Sequence, residues 1–479
     1  METTERSFDT NVQLLKYKVI KGVVEHFDKG TLESAYRDIP LAIAPGPKPT
    51  MRCCVYKERA VITERVRMAM GGDRENPNAV EVIRIACDEC TVNRYHVGSA
   101  CRGCIAHRCE HACPTGAISV HDGKAHIDQE KCVECGRCAT ACPYSAIMKY
   151  TRPCENACKI KAISMHRDNS AKIDNDKCIA CGACVYQCPF GAIVDKSFVL
   201  DALTMMRDSE NNAKYRVYAV VAPSISSQFS YAKTGQVVTG LKKLGFHSVV
   251  EAALGADMVA YDEAAELVEK GFLTSSCCPA FVAYVKSAFP DLADHISHNP
   301  SPMEAVARFI KRTDPTAKCI FVGPCTAKKM EFRQEACTGI DCVITFEELQ
   351  ALFDVRGVTV EHLEESVLDN ASYYGRIFAR SGGLSDAVAQ ALEEHGITKE
   401  RFQANPIACD GIEECRTALF KARKNMLPNN FIEGMACIGG CIGGAACITH
   451  GPKDKSEVNK YGQLAKEKTI LDAIAVTRI

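Results

Sequence analysis

The chain has no tryptophan and no stretch approaching the roughly 20 uninterrupted apolar residues that a membrane helix needs, which excludes a helical membrane protein. It also lacks an excess of either charge. With 58 basic residues against 59 acidic ones, wholesale attraction to nucleic acid or to anionic membrane is excluded, and a charged partner must read a local patch. The start, Met1 to Lys16, is polar and has no signal-peptide apolar stretch, which predicts a cytoplasmic protein. A length of 479 residues exceeds one ordinary core, so two or three domains are expected.

Cysteine is what the chain has in abundance: 29 residues. In a reducing compartment structural disulfides are disfavoured, so dense cysteines at short regular spacings read as metal ligands. Their distribution divides the chain. Residues 1–85 carry mixed helix and strand patterns, such as Val12 to Phe27 and the alternation around Val80 to Ile85, with no assignable role and only Cys53 and Cys54 as thiols. Residues 86–197 are crowded with Cys, Gly and Pro and read as a ferredoxin-like 4Fe-4S region. Residues 198–479 turn to alternating strands and amphipathic helices, an α/β catalytic domain, so the whole is an α+β multi-domain chain. Within the last part Tyr215 to Ile225 and Cys319 to Val322 read as strands, and Asp257 to Lys270 and Pro302 to Arg312 as helices.

An internal repeat organises the middle region. Cys109-Glu-His-Ala-Cys113 followed by Ala117-Ile118-Ser119 reappears as Cys154-Glu-Asn-Ala-Cys158 followed by Ala162-Ile163-Ser164. The runs Cys132, Cys135, Cys138, Cys142-Pro and Cys178, Cys181, Cys184, Cys188-Pro both have the bacterial ferredoxin spacing, in which the fourth Cys ligates the other cluster of a pair. By that rule Cys101, Cys104 and Cys109 pair with Cys142, while Cys132, Cys135 and Cys138 pair with Cys113. Cys178, Cys181 and Cys184 take Cys158. This leaves Cys154 and Cys188, which Cys87 and Cys90 can complete as a fourth cluster; the alternatives are a zinc half-site or unligated thiols at Cys87 and Cys90, and an exchange of Cys142 and Cys188 between runs. Three or four accessory 4Fe-4S clusters are thus expected.

Three loops in the last region carry a more specific signal. They read Thr274-Ser-Ser-Cys277-Cys278-Pro-Ala-Phe281, Gly323-Pro-Cys325-Thr-Ala-Lys328-Lys-Met-Glu331 and Glu433-Gly-Met435-Ala-Cys437-Ile-Gly-Gly-Cys441-Ile-Gly-Gly444. Four thiolates, Cys278, Cys325, Cys437 and Cys441, suit one 4Fe-4S cube, with Pro279 fit for a helix's first turn. The glycine pairs 439–440 and 443–444 would leave room for a bulky inorganic neighbour. In order and content these loops resemble the three signature loops of FeFe-hydrogenases, over about residues 87–455.

The resemblance implies an H-cluster: the cube bridged through Cys441 to a diiron subsite with carbon monoxide, cyanide and azadithiolate ligands, installed by maturation factors. It further implies that Cys277 is the proton-relay thiol, that Lys328 anchors a cyanide, that Met435 packs beside the diiron site, and that Ala222-Pro223-Ser224 contacts a cyanide. Glu263 and Glu266, three apart on one helix face, match the family's two relay glutamates, with Ser297 between them. Two departures stand out. Gly323 replaces a methionine, and Ala280-Phe281 replaces Gly-Trp, as in the group B subclass. Cys319, Cys337, Cys342, Cys409, Cys415 and Cys447 lack ligand spacing and read as packing residues. The expected activity is reversible reduction of protons to dihydrogen, with electrons exchanged with ferredoxin or a similar small carrier. The competing expectations are a hydrogen sensor of low turnover and an iron-sulfur scaffold without a diiron site.

Overall fold

The computed structural model describes residues 8–87, 90 and 94–478. The reading of Met1 to Lys16 as polar and leaderless lies outside the described residues over positions 1–7.

The N-terminal segment is helical. In helix Asn11–Asp28, capped by the Thr10 hydroxyl that accepts from Gln13 N at 3.2 Å, Leu15, Val19, Ile20, Val23 and Val24 fall on one buried stripe. That stripe packs against helix Phe346–Val355 of the last region, and helices Ala35–Ile43 and Val55–Ala69 complete the layer. No described helix is long and apolar enough to cross a membrane.

The cysteine-rich region consists of one ferredoxin module inserted into another. In the inner module Arg94–Val97 pairs antiparallel with Ile147–Tyr150, and hairpin Ile118–His121/Lys124–Ile127 lies between them. The outer module repeats this plan: Val80–Val82 pairs antiparallel with Ile193–Asp195, around hairpin Ile163–Met165/Ala171–Ile173. Strand Val80–Val82 lies on the N-terminal side of the boundary expected at residue 85, yet it is the first strand of the outer module. A hydrogen bond fixes the equivalence. Ala125 N donates to Cys101 Sγ across 24 residues, and Ala171 N donates to Cys87 Sγ across 84; the additional 60 residues are the insertion.

The last region holds two parallel sheets. One has the order Ser248–Glu251, Val217–Val221, Lys318–Gly323, Cys342–Thr345, and the other Leu273–Thr274, Phe431–Met435, Pro406–Asp410. These strands are nearly continuous apolar runs, as sheets covered on both faces require. The strand expected over Tyr215 to Ile225 stops at Val221. Pro223 cannot donate to a ladder, and Ile225–Gln228 is a helical turn. Helix Ala252–Lys270 begins five residues earlier than its amphipathic pattern suggests, because its first turns are buried on all sides.

Candidate active site and cluster-binding quartets

All four candidate site loops leave the C-terminal ends of parallel strands, where the two sheets face each other. Ala222-Pro223-Ser224 follows Val217–Val221, Cys277-Cys278 follows Leu273–Thr274, Pro324-Cys325 follows Lys318–Gly323, and Cys437 to Cys441 follows Phe431–Met435. Pro279 opens helix Pro279–Ala288 at its first position, with Cys278 as the N-cap. The thiols of Cys278, Cys325, Cys437 and Cys441 meet. Burial and then one another's charge push Cys325 up to about 11 and Cys441 to about 12, and raise Cys437 well above the ordinary thiol range. Four such thiols stay protonated unless cations compensate them, which is what a cluster's irons do. Among the described residues no three His, Cys, Asp or Glu close around a single ion. The quartet therefore suits a cube, which spreads its four thiolates more widely.

The glycines of the last loop have a different reason from the one expected. A Cβ at Gly443 would lie 1.9 Å from Ile438 O, one at Gly444 2.5 Å from Pro324 O, and one at Gly440 2.7 Å from Ser381 N. They allow backbone to approach backbone and so lock the Cys437 loop onto the Cys325 loop.

The ferredoxin modules bring together four further quartets. One cavity is lined by Cys101, Cys104, Cys109 and Cys142, and another by Cys113, Cys132, Cys135 and Cys138. A third, of about 560 Å³, is lined by Cys158, Cys178, Cys181 and Cys184 and extends to Cys437. The thiols of Cys87, Cys90, Cys154 and Cys188 meet in the outer module, where burial first and then Cys188, Cys87 and Cys90 push Cys154 up to about 12. Backbone N–H groups aim at sulfur throughout. Ala117, Ala146, Ala162 and Ala192 donate to Cys113, Cys142, Cys158 and Cys188 at 3.2, 3.4, 3.2 and 3.2 Å, each four residues on. Such donors stabilise thiolate, not thiol.

The third quartet abuts the catalytic loops. Thr326 Oγ1 donates to Ala180 O at 2.7 Å, and a Cβ on Gly182 would meet Thr326 Oγ1 at 2.5 Å. Cys181 accordingly acts on both Cys278 and Cys437.

From the cube site a chain of proton-bearing groups leads outward. Cys277 is fully buried, and burial first, then the charge of Glu263, drives its thiol well above the usual range. Glu263 is also fully buried and accepts from Ser276 N at 3.2 Å and Ser276 Oγ at 3.4 Å. Burial pushes it up to about 8. Ser297 Oγ donates to Glu266 Oε2 at 2.9 Å and also faces Glu263. Glu266 is paired with Lys270 at 2.8 Å and with His298 Nδ1 at 2.9 Å, and the His298 ring is 77% exposed. The Lys270 and Ser297 bonds hold Glu266 below the usual carboxylate range despite its partial burial. Ser276 and His298 had no role in the sequence reading; a serine flanking the signature cysteines gives no periodic or spacing signal of its own.

Lys328 is a buried lysine, not a surface one. Its Nζ binds Glu331 Oε2 at 2.7 Å and Cys277 O at 3.4 Å. Ser224 is fully buried and its Oγ has no hydrogen-bond partner, so that loop keeps a donor in reserve. Met435, Cys277, Ala222 and Phe321 share one buried apolar cluster. A Cβ at Gly323 would lie 2.5 Å from the Phe321 ring, so Phe321 fills the space a side chain at position 323 would need. Phe281 similarly covers Gly434, 2.3 Å from its would-be Cβ. Glu433, between the loops, accepts from Ser385 Oγ at 2.6 Å, Ser385 N at 2.8 Å and Gly382 N at 2.8 Å. Of the thiols read as packing residues, Cys319, Cys342, Cys409, Cys415 and Cys447 are buried, and Cys337 is half-buried against Glu304 Oε2 at 3.0 Å.

A ferredoxin-type region docked on a buried thiol quartet defines an iron-sulfur oxidoreductase. Residues 215–445 match the C-terminal domain of the iron only hydrogenase large subunit, residues 100–146 a 4Fe-4S dicluster domain, and residues 171–194 a 4Fe-4S binding domain. Through these domains the chain belongs to the iron-only hydrogenase family. Iron hydrogenase 1 of Clostridium pasteurianum is 29% identical over 390 residues, covering 70% of this chain and 66% of that protein. The chain thus spans just under two thirds of that relative. The periplasmic [Fe] hydrogenase large subunit of Nitratidesulfovibrio vulgaris is 27% identical over 407 residues, covering 72% of this chain and 92% of that protein. The cytosolic Fe-S cluster assembly factor NAR1 of Kluyveromyces lactis is 37% identical over 84 residues, 17% of this chain and 18% of that protein. A solved variant of [FeFe]-hydrogenase HydA1 from Chlamydomonas reinhardtii superimposes with a TM-score of 0.49 at 17% identity, covering 58% of this chain and 93% of that one.

Proposed function

We propose that this chain is an FeFe-hydrogenase that interconverts protons and dihydrogen, fed by four accessory 4Fe-4S clusters and exchanging electrons with ferredoxin or a similar carrier. Cys278, Cys325, Cys437 and Cys441 would hold the cube, and Cys441 would bridge it to the diiron subsite. When bound, that subsite supplies the redox chemistry at which protons and electrons combine; its carbon monoxide, cyanide and azadithiolate ligands require maturation factors. Lys328 and Ser224 offer buried donors for its anionic ligands.

The observation that carries the reading is the sequence of exchangeable groups from Cys277 through Glu263, Ser297 and Glu266 to His298. Burial keeps Cys277 and Glu263 protonated near neutral pH, so each can pass a proton without leaving a stranded buried charge. Ser276 and Ser297 orient Glu263 by donating to it. An assembly scaffold, the reading that the NAR1 similarity raises, has no use for such a path. A hydrogen sensor would use it at low turnover, and Phe321 packed against Gly323 favours that as the second reading, because it alters the wall beside the Ala222 loop.

Hydrogen evolution from reduced methyl viologen, after anaerobic loading with the diiron subsite, tests the proposal. Turnover in the wild type that Cys277→Ala abolishes is expected. No turnover despite confirmed loading removes the catalytic reading and leaves the sensor.

A further inference from the structure

The quartet Cys87, Cys90, Cys154 and Cys188 differs from the others in what surrounds it. Arg152 is 1% exposed and places Nη1 4.0 Å from Cys87 Sγ. Arg65 is 4% exposed, and its Nη2 donates to Phe190 O at 3.3 Å and Gly191 O at 2.6 Å, two and three residues past Cys188. Arg52 Nη2 donates to Ala86 O at 3.1 Å, the residue before Cys87, and to Phe190 O at 3.3 Å, with its guanidinium 5.2 Å above the Phe190 ring. The charges reach the thiols. Arg152 and Arg52 act on Cys90, and Cys188 acts on Arg65.

Two carboxylates stand against these three cations. Glu155 follows Cys154 and lies in the field of Arg152. Glu58 is buried and accepts the N–H groups of Thr50, Met51 and Arg52. A net positive environment remains, and most of it is dry. The cations lining the Cys101 quartet, Arg102 and Arg108, are exposed and screened by solvent, and no cation lines the Cys113 quartet.

We propose that Arg52, Arg65 and Arg152 form a cationic shell that raises the reduction potential of a cluster at this fourth quartet, making it the first accessory cluster to be reduced. Supplying two of the three arginines is then a function of the N-terminal segment. The inference rests on the reading that the quartet holds a 4Fe-4S cluster, which the pairing of Cys87 with Ala171 and of Cys188 with Ala192 supports by exact repetition of the inner module's pattern. Reduction adds one electron and one negative charge to the cluster. A guanidinium is charged at every accessible pH, and its attraction for that charge grows as the local dielectric falls.

The test is a redox titration of the anaerobically reconstituted full chain, followed by electron paramagnetic resonance, with iron counted per chain. Cys154→Ala should remove about four irons and one signal, the one with the most positive midpoint. In Arg65→Met and Arg52→Gln that same signal should move to more negative potential, by about tenfold in the reduction equilibrium, which is about 59 mV for a one-electron couple, while the other signals stay. Arg65→Lys, which keeps the charge, should restore most of the wild-type value. If Cys154→Ala leaves iron and signals unchanged, the quartet holds no cluster and the basis of the inference fails. If that variant loses its signal but both charge-removing variants leave the midpoint in place, the cationic shell is overturned while the cluster stands. Should Arg65→Met not fold, Arg52→Gln, whose side chain is only half-buried, decides alone.

Discussion

Glu263 is a carboxyl group with no cation beside it, in a fully buried position, and one of its oxygens, Oε2, has no hydrogen-bond partner. Its raised affinity for a proton, up to about 8, has two measurable consequences. Proton delivery through a protonated Glu263 falls as pH rises through about 8, so hydrogen evolution should decline there. The same shift makes the folded chain hold a proton that the unfolded chain releases above about 4.5, so Glu263 costs stability increasingly as pH rises through that window. Glu263→Gln keeps the shape and removes the titration. It should lower hydrogen evolution by about 100-fold or more, yet unfold at a higher temperature than the wild type at pH 9. Loss of activity together with lower thermal stability at that pH would place the residue in a structural role instead. The ligand cysteines and this glutamate were legible in the sequence because their spacing and order are distinctive. Ser276, His298 and the filling of Gly323's space by Phe321 were not, since each depends on which loops and strands come to lie side by side.

At the scale of elements, the relay depends on one close contact between helices. Helix Ala252–Lys270 carries both glutamates and packs on helix Pro302–Thr313, whose first residue approaches Gly255 so closely that a Cβ there would lie 1.9 Å from Pro302 O. Backbone cannot yield as a flexible side chain can. Gly255→Ala should therefore destabilise the chain by roughly 1–3 kcal/mol and push the helix away from Ser297. A lower unfolding temperature with a slowed proton-transfer step, seen as a larger solvent isotope effect on hydrogen evolution, is the expected result; unchanged values of both would mean the helices separate without cost. Helices were readable from sequence where one face is apolar, as in Asn11–Asp28. Where an element is buried all round, as at the start of Ala252–Lys270, periodicity has nothing to report and the boundary came out late. The split ferredoxin escaped for another reason: its first strand and its last are separated by an entire second module, and no local pattern links them.

Over the whole molecule, the three parts meet at a buried ionic junction. Lys16 of the N-terminal helix binds Asp195 at 2.6 Å and Glu347 at 2.5 Å, while Lys329, next to Lys328, binds Asp195 at 2.9 Å and Glu348 at 2.8 Å. Burial opposes all of these charges, and the two lysines nonetheless hold Asp195 far below the ordinary carboxylate range. That contribution is present above about pH 4 and is lost as pH falls further. Lys329→Met leaves Asp195 and Glu348 short of a cation and should cost about 3–5 kcal/mol, read as a lower midpoint in denaturant and faster proteolysis at neutral pH. The inner ferredoxin module offers the opposite case. Its ends, Arg94 and Tyr150, are directly paired across one small sheet, so the module enters and leaves the outer one at a single point. The outer strand pair, hairpin and thiol pattern are complete without it. Replacing residues 94–150 by a short Gly-Ser linker should therefore remove about eight irons per chain and leave two accessory clusters in place. Hydrogen evolution from methyl viologen, a small reductant that can reach the remaining clusters, should persist, whereas evolution from reduced ferredoxin should fall if the inner module is the carrier's entry point. Loss of all accessory iron in that variant would show instead that the outer module cannot close without its insert.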